Sequence, residues 1–219
     1  MAHDIPCQGM STLSPKTWYL PVFFAVLSIL FAWFTISLAI YLNPWFHVTV
    51  NALSDLGGKS INSSDHPYPN YPFVYNGGLM ITGLLIGLYS VTVINRSGSR
   101  VEITGFSFLI LAGLFLALVG VYHEGTYPHV FLAEWFFLLG KISFLIVGIS
   151  LILRKFQLYG TTMFVFNVIA WIVEVSIRFR SVAENEIYGI LVLDLLILIH
   201  ILSMVSRNGK SIDDKDLDI

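Results

Sequence analysis

Long apolar segments alternate with short polar stretches along the whole chain, and the length of the apolar segments determines the fold that they predict. Each segment holds roughly 19 to 25 residues, enough to cross a ~30 Å hydrocarbon core as a helix that rises 1.5 Å per residue. The six segments are Trp18 to Leu42, Phe73 to Ile94, Thr104 to Tyr122, Val130 to Leu153, Tyr159 to Ile177 and Ile187 to Val205. The pattern predicts an all-α fold, a polytopic membrane bundle of six transmembrane helices that satisfy their own backbone polar groups.

The composition supports the membrane interpretation and narrows the choice of partners. Hydrophobic residues make up 56% of the 219 residues and charged residues 12%, and the mean hydropathy of +0.76 excludes a soluble domain. The 12 basic and 14 acidic residues leave no basic surface for nucleic acid. We therefore expect membrane lipids as partners, with the subunits of a larger membrane assembly as a second kind, and no nucleic acid.

The polar stretches divide the chain into one membrane domain and two tails. Residues 1–17 form an N-terminal segment, residues 18–206 the six-helix domain, and residues 207–219 a polar tail. The one long connection spans residues 43–72 and is rich in proline and aromatic residues, which argue against disorder. We expect this loop to be an ordered cap over the ends of the helices.

The distribution of basic residues predicts the orientation of the chain. With six spans, both termini lie on the same side as the second and fourth connections, and this side carries eight Lys and Arg against three on the other. The positive-inside rule then places both termini in the cytoplasm of a cell-membrane protein. We refer to the opposite end of the bundle, with residues 43–72 and the 3–4 and 5–6 connections, as the loop end. The end with the chain termini is the terminal end.

Most histidines and carboxylates that could perform chemistry fall at the loop end. Two imidazoles and one carboxylate suffice for a catalytic zinc with an open water position, and His123, His129 and Asp55 are the predicted ligands, with His66 as an alternative third. Such a zinc could activate water beside the lipid headgroups. Without a metal, Ser54, His129 and Asp55 could act as nucleophile, base and orienting acid. Alternatively, these residues cap helix ends and hold the loop on the bundle.

Charged residues within the spans are costly unless they are paired or hydrated. Lys141 and Asp194 have opposite charge and comparable depth, which predicts an ion pair between the fourth and sixth helices. Glu134 lies seven residues before Lys141 on the same helix face, and Glu174 lies four before Arg178, in the favourable order for an i,i+4 pair. These residues form either a proton or substrate path or an ion-pair staple that holds three helices.

Three segments carry a resemblance to a known family. They are Asn51-Ala-Leu-Ser-Asp-Leu-Gly57, the opening of the second span with Phe73 and Asn76, and the 3–4 connection with Glu124 and His129. Together they resemble the domain of unknown function 998 family of multi-pass membrane proteins, with an acidic residue closing helix three and a histidine opening helix four. The chain departs from the family pattern at Tyr122-His123. The resemblance implies a membrane helix fold and no established reaction.

Two functions from different classes follow from these residues. The first is a metal-assisted, lipid-directed hydrolase with His129, Asp55 and Glu124 as catalytic residues and with Ser54 and Asn76 as supporting polar groups. Alkaline ceramidases and adiponectin-receptor-like proteins use such residue types around zinc, and the likeness is in residue types alone. The alternative is a non-catalytic structural or accessory subunit of a larger membrane complex.

The predicted orientation can be tested by cysteine labelling after the single native cysteine, Cys7, is replaced by serine. Ser60→Cys should react with a membrane-impermeant maleimide added to intact cells, because the positive-inside rule places the loop end outside. Arg154→Cys should react only after the cells are permeabilised. Reaction of position 154 in intact cells would contradict the predicted orientation and place the chain termini outside.

Overall fold

Six α-helices form the bundle in the computed structural model, which describes residues 19–59 and 66–216, with side chains described up to Arg207. The helices are α1 Tyr19–Leu42, α2 Pro72–Ile94, α3 Arg100–Val121, α4 His129–Leu153, α5 Gln157–Ser176 and α6 Val182–Asp216. All six are long and apolar enough to cross a membrane, α6 over Val182–Arg207. The predicted all-α bundle of six spans is confirmed.

Each helix packs mainly on its neighbours in the chain, and α6 also contacts α1 and α4. The core contains the fully buried side chains of Tyr89, Phe106, Phe144, Met163 and Leu196, one from each of α2 to α6. The opposite faces carry exposed apolar side chains, including those of Phe34, Leu84, Leu158 and Leu202. An apolar surface of this kind suits a bundle surrounded by hydrocarbon.

Helices α3 and α6 begin earlier in the chain than predicted, and each follows a serine cap. Ser99 Oγ accepts the Glu102 backbone N–H at 3.3 Å, and Ser181 Oγ accepts that of Glu184 at 3.1 Å. Each serine stands three residues before a glutamate, the spacing of a capping box. The helices therefore begin before the predicted Thr104 and Ile187, and Glu102 and Glu186 become helical residues.

The described residues of the 43–72 connection form an ordered cap on the loop end. A short 3-10 helix, Leu53–Leu56, forms its centre. The Asn76 side chain donates to the Gly57 carbonyl at 2.7 Å, which fixes the loop to α2. The Ala183 N–H donates to the Asn51 carbonyl at 3.0 Å, which fixes the loop to α6. The cap thus rests on α6 as well as on the second helix, and residues 60–65 lie outside the described part.

Glycines allow α2 and α3 to approach closely. A Cβ atom at Gly113 would lie 2.6 Å from the Gly83 carbonyl oxygen, and one at Gly83 would lie 2.8 Å from the Ala117 backbone nitrogen. Close backbone approach through small residues is a common way for membrane helices to associate. Gly87, one turn beyond Gly83, faces open space. The contact therefore depends on Gly83 and Gly113.

Gly83→Ala should lower the free energy of unfolding by about 1–3 kcal/mol, because the added methyl group meets rigid backbone atoms of α3. Gly87→Ala is the matched control and should leave stability unchanged or slightly raised, since alanine favours the helix and nothing lies within 4 Å of the new atom. Denaturant titration of the purified protein in detergent measures both. Equal stability of the two variants would contradict the close contact.

Candidate functional site

A cavity of about 650 Å³ lies at the loop end between α4, α5, α6 and the 3-10 helix. One part of its wall is charged and another is apolar. The ionisable groups that line it are Asp55, Glu124, His129, Glu134, Lys141, Glu174 and Glu186. The apolar side chains that line it include Val130, Phe137, Leu138, Trp171, Val175 and Val182. The three residues predicted as catalytic, Asp55, Glu124 and His129, therefore share one cavity.

Glu124 and His129 form a pair in the wall of this cavity, with the imidazole buried and the carboxylate half-buried. The imidazole Nε2 lies 3.3 Å from Glu124 Oε2, and Nδ1 lies 2.7 Å from the Tyr122 carbonyl oxygen. A carbonyl oxygen only accepts, so Nδ1 carries a proton and donates it to Tyr122. Nε2 then faces the Glu124 carboxylate, so a proton that enters the pair is held between these two groups. Both side chains line the cavity.

Asp55 has a partner on each of its oxygens. Oδ2 accepts the Ala52 N–H at 2.8 Å and so caps the 3-10 helix, while Oδ1 lies 3.3 Å from His66 Nε2. The His66 ring stacks on Trp45 with 4.8 Å between centroids, and its Nδ1 lies 2.9 Å from the Pro67 carbonyl oxygen. These contacts give Asp55 a structural role in shaping the loop, and its side chain still lines the cavity.

The predicted zinc ligands His123, His129 and Asp55 are not brought together. Across residues 19–59 and 66–207, no three His, Cys, Asp or Glu side chains are arranged to hold a metal ion. The reason is local: His123 Nδ1 lies 2.9 Å from the Glu124 carbonyl oxygen, and Asp55 and His129 each face a different partner. The loop contacts the 3–4 turn through Gly58, where a Cβ atom would lie 2.8 Å from His123 Nδ1.

The predicted pairing of Lys141 with Asp194 is wrong. The Lys141 ammonium instead donates to Glu174 on α5, and the Asn167 side chain of the same helix donates to the Lys141 carbonyl at 2.8 Å. Asp194 faces α1, where Trp33 Nε1 donates to its Oδ2 at 2.8 Å. Lys141 and Glu174 both lie within membrane spans, so an intramembrane ion pair exists. It joins α4 to α5, the next helix in the chain, and does not include Asp194.

The other residues of the predicted charged line are divided among different surroundings. Glu134 lies on the exposed side of α4 and lines the large cavity. Arg178 is exposed, and Glu174 is paired with Lys141. Asp194 lines a second, smaller cavity of about 90 Å³. A continuous line from Lys141 through Asp194 to the surface is therefore absent from the described part of the chain.

Sequence reasoning missed three polar residues of the cavity, two of them because it began the last helix too late. Glu186 Oε2 accepts the Leu53 N–H at 2.7 Å, and its side chain lines both the large and the small cavity. Trp171 Nε1 and Asn185 Oδ1 are buried and have no hydrogen-bond partner within the described residues. The Ser181-x-x-Glu184 capping signal would have placed Asn185 and Glu186 on α6.

A double-mutant cycle distinguishes the observed ion pair from the predicted one. Lys141→Met and Glu174→Gln should each destabilise the protein, and the double variant should recover about 1–3 kcal/mol of the summed loss, because neither charge is then left alone. The control cycle of Lys141→Met with Asp194→Asn should show additive effects. Coupling of Lys141 to Asp194 rather than to Glu174, measured by denaturant titration in detergent, would contradict the observed pairing.

Comparison with known proteins supports the resemblance found in the three loop-end segments. A family model described as "Protein of unknown function (DUF998)" matches residues 26–203, which include all six membrane spans in whole or in large part. No curated protein and no solved structure matches the chain. The match extends beyond the three short segments to most of the chain. The chain therefore belongs to the domain of unknown function 998 family of multi-pass membrane proteins.

Proposed function

We propose that this membrane protein is an enzyme that hydrolyses a membrane amphiphile bound in the loop-end cavity, with Glu124 and His129 as the acid–base pair. The observation that carries the proposal is the position of this pair in the wall of a cavity of about 650 Å³ with charged and apolar surfaces. The proposal assigns no metal ligands, because His123, His129 and Asp55 each face a separate partner.

The volume and the lining of the cavity support an amphiphile as the substrate. Its volume falls within the range of ~300–1,000 Å³ that is usual for small-molecule sites. The apolar side chains of Phe137, Leu138 and Val175 suit a hydrocarbon chain, and the charged wall suits a polar head. Trp171 Nε1 and Asn185 Oδ1 offer a buried donor and a buried acceptor whose hydrogen bonds a ligand could complete.

The chemistry requires a group that removes a proton from water and later returns it. A water molecule beside Glu124 would pass a proton to the Glu124–His129 pair as its oxygen bonds to the carbonyl carbon of an ester or amide. The bond to the leaving group then breaks, and the leaving group takes the proton. The Nδ1–H bond to the Tyr122 carbonyl fixes the imidazole behind the carboxylate. Asp55 and Glu186 serve to shape and charge the cavity.

A second function, that of an accessory protein that binds a cationic amphiphile without altering it, is favoured by the charge of the cavity. Five carboxylates line it, from Asp55, Glu124, Glu134, Glu174 and Glu186, against one lysine and one histidine. The excess of negative charge favours a ligand with an amine or a quaternary ammonium group, for which Trp171 also offers an aromatic surface. This function needs no turnover and agrees with the structural role of Asp55.

His129→Gln should lower turnover by about 100-fold or more, the usual contribution of a general acid–base group. The full chain is reconstituted in vesicles of a mixed lipid extract, and hydrolysis products are measured by mass spectrometry. His47→Gln is the control, because His47 is an exposed loop-end histidine that does not line the cavity. Both variants should melt within a few degrees of the wild type.

Three outcomes separate the two functions. Loss of turnover in His129→Gln, with retention in His47→Gln, supports the enzyme. Full turnover in His129→Gln contradicts the assigned acid–base pair. A wild-type protein that retains a bound cationic amphiphile through purification and produces no product supports the accessory binding protein.

A further inference from the structure

A third cavity, of about 280 Å³, lies at the terminal end and is lined by three arginines and one glutamate. Arg96 follows the end of α2, Glu102 lies in the first turn of α3, Arg154 follows the end of α4, and Arg207 lies on α6. The cavity is far along the bundle from the loop-end site and shares no lining residue with it. It is therefore independent of the proposed hydrolysis.

Glu102 forms ion pairs with two of the three arginines. Its side chain is 1% exposed and accepts from Arg154 Nη1 at 2.8 Å and from Arg207 Nη1 at 3.0 Å. The Ser97 hydroxyl also donates to it at 2.6 Å. This carboxylate thus binds two guanidinium groups, and together with Arg96 the four charged side chains leave two positive charges at the cavity.

Arg96 has hydrogen-bonding capacity that the described protein does not use. Its Nη1 donates to the Thr92 carbonyl at 2.6 Å, whereas its Nε is buried and has no acceptor within the described residues. A buried donor without a partner is unfavourable, and a charged one more so. Because Arg96 lines the cavity, an acceptor located there could complete its hydrogen bonds.

We propose that this cavity binds a phosphate group, as in the head of an anionic phospholipid. Guanidinium groups match the oxygens of phosphate in geometry as well as in charge. The cavity lies at the ends of α2 and α4, the depth at which lipid headgroups meet membrane helices, and Val93, Phe156 and Met204 give it an apolar side for the first part of the acyl chains. Basic pockets between membrane helices bind anionic lipids in this way.

The competing explanation is that the arginines only hold the helix ends together. Arg96 donates to a carbonyl in the last turn of α2, and Arg154 and Arg207 clamp Glu102. This explanation accounts for the clamp and leaves the buried Nε of Arg96 without an acceptor. The experiment therefore concentrates on Arg96, which is outside the clamp.

Arg96→Gln is compared with Arg100→Gln, an exposed arginine at the same end of the bundle that does not line the cavity. The full chain is purified in detergent, and its melting temperature is followed during titration with phosphatidylglycerol, with phosphatidylcholine or with inorganic phosphate. Phosphatidylglycerol should stabilise the wild type and Arg100→Gln equally. Arg96→Gln should require about tenfold more lipid for the same stabilisation, the effect of losing one charge-assisted hydrogen bond.

Inorganic phosphate separates the two sources of the group. Stabilisation by phosphatidylglycerol alone identifies a lipid headgroup, and equal stabilisation by inorganic phosphate identifies the free ion. If Arg96→Gln does not fold, Arg96→Lys keeps the charge without the planar fork and should still weaken binding. Phosphatidylcholine, whose phosphate is balanced by a cationic choline, should stabilise the wild type less than phosphatidylglycerol does. An equal response of the Arg96 and Arg100 variants would overturn the proposal and leave a structural clamp only.

Discussion

A charge placed among membrane helices must find a partner within the protein, and this constraint organises the polar part of the bundle. Lys141 and Glu174 pair across α4 and α5, Asp194 accepts from Trp33 across α6 and α1, and Glu102 holds arginines from α4 and α6. Breaking a buried pair by removing one partner leaves an uncompensated charge, whereas replacing both partners is often tolerated. The contacts therefore fix which helix faces meet, although they are weak evidence for net stability.

The two ends of the bundle satisfy this constraint in opposite ways. At the terminal end, one buried carboxylate is surrounded by donors, and positive charge is in excess. At the loop end, carboxylates are in excess and line a larger cavity. Each end thus offers a different chemical surface to a membrane component, with cationic groups favoured at the loop end and anionic groups at the terminal end.

The fold could be predicted because membrane thickness fixes the length of a span, and length can be counted in the sequence. The position of Asp55, Glu124 and His129 at one end followed from the same counting. The partner of Lys141 could not be found in this way, since depth along a helix does not give its rotation about the axis. Lys141 and Asp194 have similar depth but face α5 and α1, respectively. Loop contacts such as that of Leu53 with Glu186 depend on tertiary geometry and have no sequence signal.

The attachment of the loop to α6 has a mechanical consequence for the cavity. The Leu53 N–H bonds to Glu186, and the Ala183 N–H bonds to the carbonyl of Asn51 just before the 3-10 helix, so this part of the loop is attached to α6 at two points. Glu124 and His129 belong instead to the 3–4 turn and the start of α4. A displacement of α6 away from α4 must either break both bonds or carry the 3-10 helix with it. In the second case the loop must also give up the Asn76–Gly57 hydrogen bond to α2, and the cavity widens with the loop and α6 on one side and the Glu124–His129 pair on the other.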